Sequence, residues 1–268
     1  ITGTSTNADL EYLLQVFSSA FTGRQYSEDA WAFIMSNLEA EAKNHGTTPG
    51  DVYNDKINEI LYGKGDLRHS PFDMKSFARI NPASAKKVIE ERFKNPADFT
   101  YVFVGDFDEP KLVELCQYYL GALPTTEERE ETKYLYWDFP KGINTATVKK
   151  GIEENGYAYI QFGGNLPPEP DVEKAFKDSV IAEQLSSLLD IRLREVIRED
   201  NSGSYGVSTS GGIDGYPEKF YDFSVQFGCE PSRCEELTET VMKTIKDMQA
   251  DGISEENVNK LREAYRRS

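Results

Sequence analysis

The chain has 268 residues, with 46 acidic against 30 basic side chains and a formal net charge of -16. That length allows two ordinary domains, and 38% hydrophobic with 12% aromatic residues is enough for packed cores. The acidic balance excludes a nucleic-acid face and an anionic lipid surface, both of which need clustered cations, and no apolar run approaches the roughly 18 residues of a membrane span.

In chain order, the first half predicts helices with one strand. Asn7 is a good N-cap, and Leu10, Leu13, Leu14, Phe17 and Phe21 make one apolar stripe that Gly23 ends. Ser27 caps a second helix with Trp31, Ile34, Met35 and Leu38 inward, closing near His45-Gly46. Thr48-Pro49 supplies the N-cap and first position of a third, carrying Val52, Ile57, Ile60 and Leu61. After a loop with Gly63, Gly65 and Pro71, Asn81-Pro82 starts a fourth helix through Val88, Ile89 and Phe93. Phe99–Val104, dense in aromatic and β-branched residues, predicts a strand. Asp108 then caps a helix that contains Pro110 and stops at Gly121. A lone Gly105 followed by Asp106, Asp108 and Glu109 would repel phosphate, so this turn is no nucleotide loop.

The second half predicts strands around one long helix. Pro124–Pro140, with the charged run EEREETK, has no helical or strand period and reads as a linker. Strands are expected at Thr145–Lys150 and Tyr157–Phe162. Asp171 caps the long helix, whose buried face is Val172, Ala175, Phe176, Val180, Leu185 and Leu188, with a break near Ser186-Ser187. Its last turns place Leu189, Leu193, Val196 and Ile197 at helical spacing. Arg192, Arg194 and Arg198 crowd the same turns, where cations complement the helix dipole. The polar loop Asn201–Ser204 breaks the helix, and Tyr205–Ser210 with Phe220–Phe227 form a hairpin around Asp214-Gly215. Tyr221, Phe223, Val225 and Phe227 alternate with Asp222, Ser224 and Gln226, giving one apolar and one polar face. Helices follow near Ser232 and at Ser254.

The residues carry little catalytic chemistry of their own. His45 and His69 stand singly in polar loops, without a Glu or second His at the spacing that puts ligands on one helical face. There is no nucleophile elbow, no Cys–His pairing and no dinucleotide fingerprint. Cys116 sits in the helical LVELCQYYL as a small core residue. Cys229 and Cys234 lie five residues apart across a strand-to-helix turn; a disulfide there requires an exported protein, and the sequence leaves the compartment open. Arg198 and Tyr205, seven residues apart, flank one tight turn and can point into one cleft. From the residues alone, a helix-end cation and a sheet-packing tyrosine are the simpler account of them.

That Arg–Tyr arrangement resembles the pitrilysin/insulinase family of zinc metallopeptidases, whose last domain carries both residues at this spacing after such a helix. Two further stretches resemble the same family. FTYVFVGDFDEPKLVELCQYYLGALP is similar to the strand and helix that close its preceding domain, and VKKGIEENGYAYIQFGG to the strand pair that opens the next. The likeness runs from about Gly3 to the C-terminus, but the zinc motif H-x-x-E-H is absent. The resemblance implies a parent that hydrolyses peptides, with zinc held in its first domain and two halves closing around the substrate. It implies Arg198 and Tyr205 as substrate-binding residues, donating hydrogen bonds near the scissile bond where negative charge develops. It implies no catalytic residue, no metal ligand and no cofactor in this chain itself.

The expected fold is α+β, in two related domains with mainly antiparallel sheets and helices packed on one face. Residues 1–124 form the C-terminal part of a penultimate domain, 125–144 a linker, and 145–268 the N-terminal part of the last domain. Both are expected to be truncated and the chain to be a fragment, inactive alone. Its expected partners are a peptide substrate and the N-terminal zinc-binding half of the same chain, with no nucleic acid and no membrane insertion. The localisation stays open, with periplasmic or other export fitting a bacterial parent. The rival expectations are a non-catalytic scaffold or partner subunit of the same fold, and a strand-edge peptide-binding module.

Overall fold

The computed structural model describes residues 1–131, 133–135, 137–200, 204–215 and 218–267; the side chains at 198–200, 204, 205 and 267 lie outside that description. The chain is α+β and divides into two compact units. The first comprises Ile1–Thr47 and Ser70–Lys133, the second Thr48–His69 and Tyr134–Ser268.

The first unit is built of helices that local chemistry starts and stops: α1 (Leu10–Thr22), α2 (Glu28–Asn44), α4 (Met74–Phe77), α5 (Pro82–Arg92) and α6 (Glu109–Tyr119). Ser27 Oγ accepts from the Ala30 N–H at the head of α2. Asn81 Oδ1 accepts from Ala83 and Ser84 at α5, and Asp108 Oδ1 from Lys111 at α6. Each satisfies an N–H that a helix terminus leaves without a partner. At α1 a single 3-10 turn, Asn7–Asp9, intervenes, so the α-helix begins after Asp9 rather than after an Asn7 cap. The short α4 falls inside the stretch read as loop, and Asp73 caps it. Leu14 is fully buried with Leu112 and Leu115, and Leu10, Phe17 and Phe103 pack around them. In α2 the expected inward Ile34 is 45% exposed, and only Ala42 is buried.

Two expected strands do not form. Phe99–Val104 keeps the strand alternation, with Phe99, Tyr101 and Phe103 half-buried and Thr100, Val102 and Val104 exposed. A strand also needs a ladder partner for its backbone groups, and among the described residues none pairs with this segment. Thr145–Lys150 likewise joins no strand ladder among the described residues.

The second unit holds α3 (Pro49–Tyr62), β1 (Gly156–Asn165), α7 (Val172–Asp200), β2 (Ser204–Asp214), β3 (Phe220–Cys229), α8 (Cys234–Asp251) and α9 (Glu255–Arg267). At α3, Thr48 and Asp51 exchange side-chain-to-backbone bonds in a capping box, with Pro49 at the first helical position. The sheet is antiparallel in the order β1-β3-β2, with Ile160 opposite Val225 and Val207 opposite Phe227. Its apolar face meets Leu193 and Ile197 of α7 and Leu237 and Val241 of α8 in one buried cluster with Val225, Phe227 and Cys229.

Helix α7 runs unbroken through Ser186 and Ser187. Ser187 Oγ donates to the Glu183 carbonyl, and the Ser186 carbonyl accepts from Thr209 Oγ1 of β2, so both serines fit within a continuous helix. The buried face is the expected one toward the end of the helix, where Leu188, Leu193 and Ile197 are buried; toward its start, the expected Val172 and Phe176 are 81% and 67% exposed, and Ala182 is buried instead. Near the end of β2, a Cβ on Gly212 would lie 3.7 Å from the side chain of Glu183 on α7.

Candidate functional site

The expected site residues sit where α7 leads into β2. Leu193 and Ile197, one helical turn apart, are buried against Val207, which pins the last turns of the helix to the start of the strand. One register further along, Thr209 N–H donates to Asp190 Oδ1 (3.2 Å) and Thr209 Oγ1 to the Ser186 carbonyl (2.8 Å), tying helix and strand together by polar bonds as well. Two of the three arginines expected to crowd this end are engaged in ion pairs. Arg194 Nε lies 2.8 Å from Asp190, and Arg192 lies 3.4 Å from Glu195, whose other oxygen receives Lys260 of α9 at 3.0 Å. The Lys260 ammonium, with Arg192 behind it, holds the Glu195 carboxyl below the usual carboxylate range.

Arg198 belongs to the last turn of α7 and Tyr205 to the first residues of β2; their side chains, and the intervening residues 201–203, lie outside the described residues. The backbone around Tyr205 is nonetheless informative. Ser204 pairs with Cys229 and Gly206 with Gly228, so the ladder skips one residue at Tyr205. That is a β-bulge, a device that bends a strand and re-aims the extra side chain. Gly206, next in line, has φ 144°, a left-handed conformation that a side chain disfavours. The sequence showed a loop, a tyrosine and a glycine here; the bulge depends on the partner strand and is visible only in the fold.

The opposite face of the sheet was read only in part. β3 presents Asp222, Ser224 and Gln226 there, as expected, and β1 adds Tyr157, Tyr159 and Gln161. Gln161 donates to Asp222 Oδ1 (2.8 Å) and Tyr157 to Gln226 Oε1 (3.2 Å). Tyr53 of α3 meets Tyr157 edge-on at 5.7 Å, and its buried hydroxyl has no hydrogen-bond partner among the described residues. Burial pushes the hydroxyls of Tyr53, Tyr62 and Tyr159 above the ordinary phenol range. The period-2 spacing of Tyr157, Tyr159 and Gln161 was the available signal. What it did not show was that a helix from before the linker packs with this sheet.

His69 stacks on Tyr62, with ring centroids 3.4 Å apart, and its Nδ1 lies 3.6 Å from Asp66. His45 caps the end of α2 in the other unit. Among the described residues no group of three or more His, Cys, Asp or Glu side chains is placed to hold a metal ion. Among these residues, then, no donor set fits zinc.

Comparison with known proteins places this architecture. The family model for the peptidase M16 inactive domain matches residues 79–265. A zinc protease PQQL-like protein from Arabidopsis thaliana is 24% identical over 97% of this chain, and a probable zinc protease PqqL from Escherichia coli is 24% identical over 95%. The chain spans only 28% and 26% of the length of those two relatives. The crystal structure of the periplasmic protease PqqL from Escherichia coli superposes with a TM-score of 0.78 at 23% identity, over 98% of this chain and 28% of that one.

Proposed function

We propose a role for this chain from one premise: it belongs to the peptidase M16 family, through that family's inactive domain. In this reading the chain is the non-zinc-binding, substrate-side part of a zinc metallopeptidase that hydrolyses peptides. It forms most of a penultimate and the first part of a last domain. The N-terminal part of the same parent chain supplies the metal. Zinc, when bound there, polarises the scissile carbonyl and activates water; the residues of this chain bind and orient the peptide.

Arg198 and Tyr205 are the residues assigned to that task. A guanidinium and a phenol are hydrogen-bond donors suited to peptide carbonyl oxygens, and donors aimed at the oxygen on which charge develops favour the transition state over the ground state. The observation that carries the reading is the bulge at Tyr205 within the matched residues 79–265. A bulge followed by a left-handed glycine is an irregular, costly way to begin a strand, and such irregularities cluster where a side chain must be re-aimed. Because α7 and β2 are pinned to each other through Thr209 and Val207, the two donors rest on rigid elements rather than on a free loop.

The test uses the full-length parent. Tyr205→Phe removes one oxygen and leaves the ring; its expected effect is a loss of kcat/KM on quenched fluorescent peptides on the order of 10²-fold, with an unchanged melting temperature. Arg198→Ala should act in the same direction. A parent that holds no zinc and cleaves no peptide would place the chain in a non-catalytic scaffold instead. An unfolded or strongly destabilised Tyr205→Phe protein would make Tyr205 a packing residue.

A further inference from the structure

The two cysteines at the lower end of β3 are closer than packing alone requires. Cys229 Sγ lies 3.0 Å from Cys234 Sγ, and both are thiols. Cys229 is the last residue of β3 and fully buried; Cys234 opens α8 and is half-buried. The turn between them is one 3-10 turn, Pro231–Arg233, closed by the Arg233 N–H to the Glu230 carbonyl at 2.9 Å, and it holds the two sulfurs side by side. Space has been left for them. Gly156 stands opposite Cys229 on β1, and a Cβ there would fall 2.6 Å from Cys234 Sγ.

We propose that Cys229 and Cys234 are a redox-active dithiol that closes to an intramolecular disulfide by exchange with a disulfide donor such as oxidised glutathione. The half-buried Cys234 is the entry point. Its thiolate attacks one sulfur of the donor, a Cys234–donor disulfide forms, and the other donor sulfur leaves as a thiolate. Cys229 then attacks Cys234 Sγ, the mixed disulfide breaks, and the second donor thiol is released with the proton that Cys229 loses. Two protein thiols are oxidised and one donor disulfide is reduced to two thiols, so electrons and protons balance. The sulfurs need to close to only about 2.0 Å. Burial pushes the Cys229 thiol up, which makes it a poor first nucleophile and a resolving partner instead. Cys116, on α6 of the other unit, has no such neighbour among the described residues and serves as the reference thiol.

The inference is independent of the peptidase reading and is tested on the folded chain without an activity assay. After incubation with oxidised glutathione and removal of excess, alkylation under denaturing conditions should count one free thiol in place of three. Trypsin cuts after Lys219, Arg233 and Lys243, leaving Cys229 and Cys234 on separate peptides that only a disulfide keeps together. Mass spectrometry should find those two peptides linked, and dithiothreitol should part them. Cys229→Ser should retain glutathione on Cys234, because no resolving thiol remains, whereas Cys234→Ser should leave the buried Cys229 free. Three free thiols in the treated wild-type chain, or a stable glutathione adduct on Cys234 beside an unreacted Cys229, would overturn the proposal.

Discussion

In the second unit, eight buried side chains from α7, β2, β3 and α8 close on one another, among them Phe227, Leu237 and Val225. In the first, the buried cluster is three leucines of α1 and α6 with half-buried residues around them. Each fully buried large apolar side chain contributes about 1.5–3 kcal/mol, so the second unit draws its order from contacts distant in sequence. The first leans on caps that each helix carries within its own few residues. The difference teaches that one chain can hold two kinds of legibility: helices announced residue by residue, and a sheet whose meaning depends on what pairs with it.

The chain's two tryptophans make that contrast measurable, since Trp31 lies in the first unit and Trp137 in the second. Single-tryptophan variants followed by fluorescence in urea report one unit at a time. The largest effect is expected from Phe227→Ala, which empties the centre of the sheet core and should cost about 3–5 kcal/mol in the Trp137 transition. Leu14→Ala should cost about 2–3 kcal/mol, read at Trp31, because half-exposed neighbours can close part of the cavity. Equal losses at both reporters for either variant would break the comparison, since the units would then unfold as one.

Within the second unit, close backbone approach and local capping can be told apart. A Cβ at Gly211 would lie 2.4 Å from the Asp222 carbonyl oxygen and 2.6 Å from Phe223 Cα, both backbone atoms of β3. Gly211→Ala should therefore cost about 1–3 kcal/mol by overpacking, and hydrogen exchange along β2 should quicken. A smaller, purely local loss of about 1 kcal/mol is expected for Thr48→Ala, which removes half of the capping box of α3.

The smallest effect belongs to Tyr53→Phe. The Tyr53 hydroxyl is buried without a partner, so removing it should change stability by less than about 1 kcal/mol and in the stabilising direction. The same face has a pH signature. Burial raises Tyr53, Tyr62 and Tyr159 above the phenol value, whereas an unfolded chain releases these protons near pH 10. Their contribution is therefore complete below about pH 10 and is lost as pH rises from there through the folded-state values. Urea midpoints at pH 9 and pH 11 should fall further apart in the wild type than in Tyr159→Phe. Identical slopes would mean that the tyrosine face is open to water.

Most helices could be read from their ends. Ser27, Thr48, Asn81 and Asp108 cap the helices they were expected to cap, because a cap is a bond between near neighbours. The α+β class and the hairpin of β2 and β3 were equally legible, through turn residues and period-2 alternation. Burial along α7 was not. Val172 and Phe176 have the right spacing, but spacing says only that residues share a face, not that another element covers it.

The sequence by itself determined where most helices begin, which residues alternate, and that Arg198 and Tyr205 stand seven residues apart. It also showed the absence of a metal-ligand pattern and the family likeness. Only the tertiary structure decided that Phe99–Val104 and Thr145–Lys150 join no ladder among the described residues, that β2 carries a bulge at Tyr205, and that Cys229 and Cys234 meet at 3.0 Å. The reason is the range of the forces concerned. Caps, turns and dipoles act within a few residues and leave their mark in the sequence. Strand pairing, bulges and thiol contacts depend on a partner brought from elsewhere in the chain, and that partner is chosen by burial.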